Sequence, residues 1–226
     1  APGFAALAVV LLSALALGAN RPVSWLMLAI LLLGLLAWQG LAAAAPPRPG
    51  APRVPPRLPA LLYLGVLAWG LVQAVPGLVP SGWAHPAWAG LGIVDLAPAG
   101  GPTISADPIE GFHRLARLAA YGAAFWLVAA AALDRARAAT MLRAIALFST
   151  ALAVYGLFTR SAGVNPILGE DLARSEVLRA SFVNRNHYAT YAGFGVIANL
   201  AVLAAGFEAG SGAGGARRVE RLRALI

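Results

Sequence analysis

Nine residues, Arg179 to His187, carry five side chains suited to holding an anion: Arg179, Asn184, Arg185, Asn186 and His187. An apolar run over 188–207 follows directly, which places the five at the mouth of a helix. Asn186 or Asn184 fits the N-cap. A helix N-terminus presents free backbone N–H groups and a partial positive charge, and two guanidinium groups beside it make a seat for a phosphate or diphosphate. The competing reading confines the asparagines to capping and lets the arginines snorkel to lipid phosphates.

A second group lies earlier. Arg114, Arg117 and Tyr121 share one helix face at i, i+3 and i+7. They can line a lipid-diphosphate cleft or anchor the helix at the membrane interface. His113 reads as interfacial, and His85, before Pro86, as a loop residue. Asn199 falls in the middle of an apolar run, where an amide side chain hydrogen-bonds a neighbouring helix. Gly193 and Gly195 are expected to permit close helix packing. Glu170, Asp171 and Glu176 read as a solvated loop face. With no cysteine, no Asp-x-Asp pair, no histidine cluster and no phosphate-binding glycine loop, no metal and no cofactor is expected.

The elements that must carry these groups are set by composition. Hydrophobic residues make up 60% of the 226 positions and charged residues 12%, with a mean hydropathy of +0.74. A soluble domain carries about 25% charged residues. So much apolar side chain needs lipid around it. Apolar windows at about 4–19, 23–44, 58–75, 115–133, 142–159 and 188–207 approach the ~20 residues of a spanning helix. The predicted fold is therefore all-α, a polytopic membrane protein of about six transmembrane helices forming a single domain over 1–226.

Every basic residue is arginine, and the net charge is +8. The arginines cluster between apolar runs, as topology signals do, and no aromatic-plus-basic stripe points to nucleic acid. The Pro/Arg-rich linker 45–57, the stretch 134–143 and the tail 208–226 are rich in arginine and fall on one side of a six-span chain. The positive-inside rule makes that side cytoplasmic, together with the N-terminus. Loops 76–112 and 160–187 then face outward and hold most of the acids, although Arg160, Arg174, Arg179 and Arg185 in the second run against the rule. Trp83 and Trp88 mark a short interfacial segment in loop 76–112. Asp107, Pro108 and Glu110 predict a helix start near 108. Ala209–Gly215 reads as a flexible linker. The chain begins without Met and stops at Arg223-Ala-Leu-Ile226, where a new apolar run starts, so a piece of a larger protein is expected.

The segment Phe182-Val-Asn-Arg-Asn-His-Tyr-Ala-Thr-Tyr191 resembles the signature of the O-antigen ligase and polymerase superfamily: an aromatic, Asn-x-Asn, then an aromatic and a small residue at a helix start. Here these are Phe182, Asn184, Asn186, Tyr188 and Ala189. Ile104-Ser-Ala-Asp-Pro108 resembles the Ser-x-Asp-Pro element that opens the fourth helix of these proteins. Where many members have glycine shortly before the aromatic, this chain has Ala180-Ser181.

The resemblance implies a bacterial inner-membrane enzyme of lipopolysaccharide or polysaccharide biosynthesis. Such an enzyme transfers a glycan from undecaprenyl diphosphate to a lipid A-core or other glycan acceptor at the periplasmic face, without a nucleotide sugar. It implies that Arg179 and Arg185 stabilise the leaving diphosphate, that Asn184 and Asn186 order the site, and that His187 assists. The family's catalytic histidine and a further arginine lie on a large periplasmic loop that would follow residue 226, so this chain would be an N-terminal half, inactive alone. Ligase and polymerase remain open alternatives. A transporter needs ionisable groups near mid-membrane, and the six windows hold only Arg117 and Arg143, each near an edge. A membrane subunit without chemistry is the third class.

Overall fold

The structure, a computed structural model, describes residues 2–16, 22–43, 57–91, 101–167 and 177–223. Within these residues all regular structure is helical: α1 (Pro2–Ser13), α2 (Pro22–Ala43), α3 (Arg57–Ala74), a single 3-10 turn at Ser81–Trp83, α4 (Ala87–Leu91), α5 (Pro108–Ala132), α6 (Arg135–Ala162) and α7 (Arg185–Arg223). Most of the linker 45–57, the residues Asp95, Glu170, Asp171, Arg174 and Glu176, and the last three residues lie outside the described set.

Helix starts follow their caps. The Asp107 carboxylate accepts from the Glu110 N–H at 2.9 Å and Pro108 opens α5, at the position the sequence predicts. Asp134 caps α6 by accepting from the Arg137 N–H at 2.9 Å. Gly163, at φ 66°, ends α6 in the left-handed conformation that glycine adopts without strain.

Among the described residues four stretches are long and apolar enough to cross a membrane: Pro22–Ala42, Pro108–Ala132, Arg135–Ala162 and Arg185–Phe207. Only 11% to 28% of the residues in their most apolar windows are buried by the protein itself. Ile30, Leu147 and Phe207 stand 69%, 72% and 75% exposed. Outward apolar side chains on this scale need hydrocarbon against them, and the chain is a multi-pass membrane protein.

The six expected windows divide unevenly. Pro2–Ser13 and Leu58–Ala74 are shorter than the other four. At ~1.5 Å per residue the 12 residues of α1 reach ~18 Å, against a hydrocarbon core of ~30 Å. The N–H groups of Ala14, Leu15 and Ala16 donate to Leu11, Leu12 and Ser13, three residues back, so the α pattern stops at Ser13. At the other extreme, α7 does not end at Phe207. Its backbone continues to Arg223 through Ala209–Gly215, where glycine content predicts a linker. Propagating an existing helix is far easier than starting one, and helix-forming residues resume beyond Gly215.

The chain clusters into two compact units, Ala1–Val9 with Pro22–Leu133 and Val10–Arg21 with Asp134–Ile226. In the first, α5 is the central helix. α3 runs antiparallel to it: Tyr63 lies where a Gly122 side chain would be, and Ala74 Cβ lies 3.4 Å from where Gly111 would carry one. α2 runs parallel to α5, with Trp25 beside His113 and Arg117 and with Ala29 and Leu32 packed among Ala120, Ala123 and Leu127. Gly3 of α1 approaches Leu127 and Ala131 closely. The connection before α5 is pinned by Trp88, whose indole N–H donates to the carbonyls of Thr103 (2.8 Å) and Ser105 (3.1 Å), and by the Ser105 N–H donating to Gln73 O at 2.9 Å.

In the second unit α6 and α7 pack antiparallel. Ser149 Cβ lies 2.7 Å from where a Gly195 side chain would sit. Asn199 donates to the carbonyls of Ala146 (3.3 Å) and Gly195 (2.8 Å) and accepts from Thr150 Oγ1 at 3.3 Å, which ties the two helices within the apolar layer. Gly193, expected to share the packing role, has nothing within 4 Å. Residues two apart on a helix differ by about 200° in direction, so only one of the pair faces α6.

Candidate functional site

The site is the turn that leads into α7, and its geometry starts at Asn165. This residue follows the end of α6 and is 6% exposed. Its Nδ2–H donates to Ala180 O at 2.7 Å, while its Oδ1 accepts from the Tyr155 hydroxyl (2.9 Å) and the Ile167 N–H (3.1 Å). One amide therefore ties α6, the segment after it and the turn before α7 together. The Phe182 N–H donates to Arg179 O at 2.9 Å and closes the turn 179–182. Ala180 sits inside it at φ 48°, a left-handed conformation that disfavours a side chain by about 1–2 kcal/mol. This is one of the positions where the sequence has alanine and serine in place of the expected glycine. Ser181, fully buried, donates to Ala14 O at 2.6 Å.

Beyond the turn, Phe182 packs against Tyr188 and Tyr191 at ring-centroid distances of 5.9 Å and 5.4 Å. Asn184 is the cap: its Oδ1 accepts from the Asn186 N–H at 2.8 Å. Asn186 is the second residue of the helix, and its carbonyl accepts from Thr190 Oγ1 at 3.0 Å.

The five predicted residues thus separate into two environments. Arg179 is half-buried. One terminal N–H donates to Val183 O at 3.0 Å, while the Nε–H is buried without an acceptor among the described residues. Asn184, Arg185, Asn186 and His187 are exposed on the first turn of α7. The Tyr191 hydroxyl, two-thirds of a turn further on, is also buried without a partner. The Arg179 Nε–H, without an acceptor among the described residues, together with the exposed Arg185 at the helix N-terminus that follows, forms an arrangement that can take up an anion.

Arg114, Arg117 and Tyr121 belong to the other unit and have separate surroundings. Arg114 Nε donates to Glu110 Oε1 at 3.0 Å on the exterior. The Arg117 guanidinium lies 4.5 Å from the centre of the Trp25 ring. Tyr121 is exposed. His85 accepts from the Ala87 N–H through Nδ1 and serves the loop.

Asn165, Tyr191 and Trp25 were missed in the sequence reading. Asn165 carried a signal, since Asn-Pro after a helix-ending glycine favours a turn. Trp25 and Tyr191 carried none, because an aromatic in an apolar run does not disclose its neighbours.

No protein-family profile, no curated protein and no solved structure matches the chain.

Proposed function

We propose that the turn 179–187 binds the diphosphate of a polyprenyl-linked glycan, and that the protein is part of a transferase of the O-antigen ligase type. The observation that carries this reading is Arg179: a half-buried guanidinium whose Nε–H lacks an acceptor, beneath a helix mouth bearing Arg185, Asn186 and His187. An unpaired donor in such a place is satisfied by a ligand oxygen. The Asn-x-Asn motif at 184–186 supports the same reading through its likeness to the superfamily signature.

In the reaction, an acceptor hydroxyl attacks the anomeric carbon of the donor glycan. A new glycosidic C–O bond forms and the bond to the diphosphate breaks, the leaving diphosphate keeping the electron pair. The hydroxyl proton passes to a base outside these residues. Arg179 and Arg185 stabilise the growing negative charge, and Asn184 holds the helix mouth in place. On this proposal the membrane is the bacterial inner membrane and the turn faces the periplasm. The donor is undecaprenyl diphosphate-linked, and the acceptor is lipid A-core or a second glycan.

The test uses the full-length protein in vesicles with a lipid-linked glycan donor. Arg179→Ala and Arg185→Ala are expected to lower transfer by about 100-fold or more, the scale on which a charge stabilising a transition state acts, with membrane insertion unchanged. Normal transfer in both variants refutes the site.

A further inference from the structure

We propose that Trp25 of α2 and Arg117 of α5 form a seat for a phosphate group, supplied by a membrane lipid headgroup, separate from the turn 179–187. Trp25 is 5% exposed and its indole N–H has no acceptor. The Arg117 guanidinium stacks on that indole at 4.5 Å, and its own Nε–H is buried without an acceptor. His113 also packs on the indole, with ring centroids 5.6 Å apart and the planes at 68°. Two neighbouring side chains on parallel helices therefore hold buried donors with nothing to receive them.

Charge sharpens the requirement. Glu110 is the carboxylate of this cluster; it is engaged by Arg114 at 3.0 Å, lies 3.6 Å from His113, and interacts with the charge of Arg117 only from beyond ion-pair distance. Among the described residues no carboxylate comes within ion-pair distance of Arg117. A guanidinium at the edge of hydrocarbon needs an anion, and the face of an indole offsets only part of its charge. A water molecule would satisfy an N–H but leave the charge. A phosphate offers several acceptor oxygens and the missing negative charge together.

Depth identifies the source. The spanning stretch of α2, Pro22–Ala42, has 21 residues and measures ~32 Å at ~1.5 Å per residue, close to the ~30 Å of the hydrocarbon core. Its first turn, which holds Trp25, thus lies at one hydrocarbon boundary. Because α2 and α5 are parallel and Arg117 packs on Trp25, Arg117 lies at that same boundary, while Glu110 and Arg114 project beyond it. Lipid phosphates occupy this level.

The proposal is tested on the full chain purified in a maltoside detergent, which contains no phosphate, with phosphatidic acid as the probe and native mass spectrometry counting bound lipid. One phosphatidic acid is expected to be retained by the parent protein. Arg117→Gln should weaken it about tenfold, the loss expected when a charged hydrogen-bond donor is removed. Trp25→Phe keeps a ring for Arg117 but removes the N–H, and should weaken binding by a smaller factor. Arg117→Lys guards against misfolding: with helicity and monodispersity unchanged, it should bind between the parent and the glutamine variant. Every variant is measured in a chain that also carries Arg179→Gln and Arg185→Gln, which removes phosphate binding by the turn 179–187 from the count and keeps this outcome distinct from the glycan-transfer reading. Displacement of the lipid by inorganic phosphate at equal concentration would assign the seat to free phosphate. Parent-like binding in both Arg117→Gln and Trp25→Phe overturns the proposal.

Discussion

Asn165→Ala removes the amide that ties the turn before α7 to α6. Among the described residues three hydrogen bonds go with it: the 2.7 Å bond to Ala180 O and the two bonds, 2.9 Å and 3.1 Å, received from the Tyr155 hydroxyl and the Ile167 N–H. Leaving a buried polar group without a partner costs about 1–3 kcal/mol. Ala180 is 1% exposed, so its carbonyl bears the full amount. Tyr155 and Ile167 are part-buried and regain some solvent, so they contribute about half as much each. The sum is about 2–6 kcal/mol. The loss also frees Ala180 from a left-handed conformation that the turn holds against about 1–2 kcal/mol of strain, so the turn should relax.

The assay is reversible unfolding in mixed micelles, together with amide exchange at Phe182, whose N–H bonds to Arg179 O only in the closed turn. Asn165→Asp refines it. The aspartate still accepts from Tyr155 and Ile167 but opposes an oxygen to Ala180 O, so it should destabilise about as much as alanine. A stability within about 0.5 kcal/mol of the parent, with Phe182 exchange unchanged, would refute the claim that Asn165 holds this turn.

Two further results follow from local geometry. Gly195→Ala places a methyl 2.7 Å from Ser149 Cβ and should cost about 1–3 kcal/mol, whereas Gly193→Ala meets nothing within 4 Å and should be neutral or gain up to about 1 kcal/mol of helix propensity, measured side by side by unfolding. Ala180→Gly should change stability by less than about 1 kcal/mol, since relief of strain offsets the greater freedom of glycine when unfolded; Ala180→Val, branched and buried at φ 48°, should lose more than about 2 kcal/mol in the same measurement.

Much of the scaffold was legible because the rules behind it are local or depend on length. Asp107-Pro108 and its Glu110 announced the start of α5, and the apolar windows announced a membrane protein, since a run near 20 residues has few other uses. The helix mouth at 184–187 was legible for the same reason: a cap lies next to the residues it caps. Ala209–Gly215 was misread because glycine propensity is a weak local signal that an adjoining helix overrides.

Sequence alone determined the solvent, the helical class and the start of the helix capped by Asp107, and left the start of α7 between Asn184 and Asn186. Tertiary structure decided that Asn184 and not Asn186 is the cap, that Gly195 and not Gly193 meets α6, that Ala180 takes a left-handed turn under Asn165, and that Arg117 rests on Trp25. A helix in lipid is apolar all round, so no polar stripe marks which face turns inward. The rotation of each helix is then set by shape and by a few polar contacts between residues far apart in the chain, and these exist only once the helices have packed.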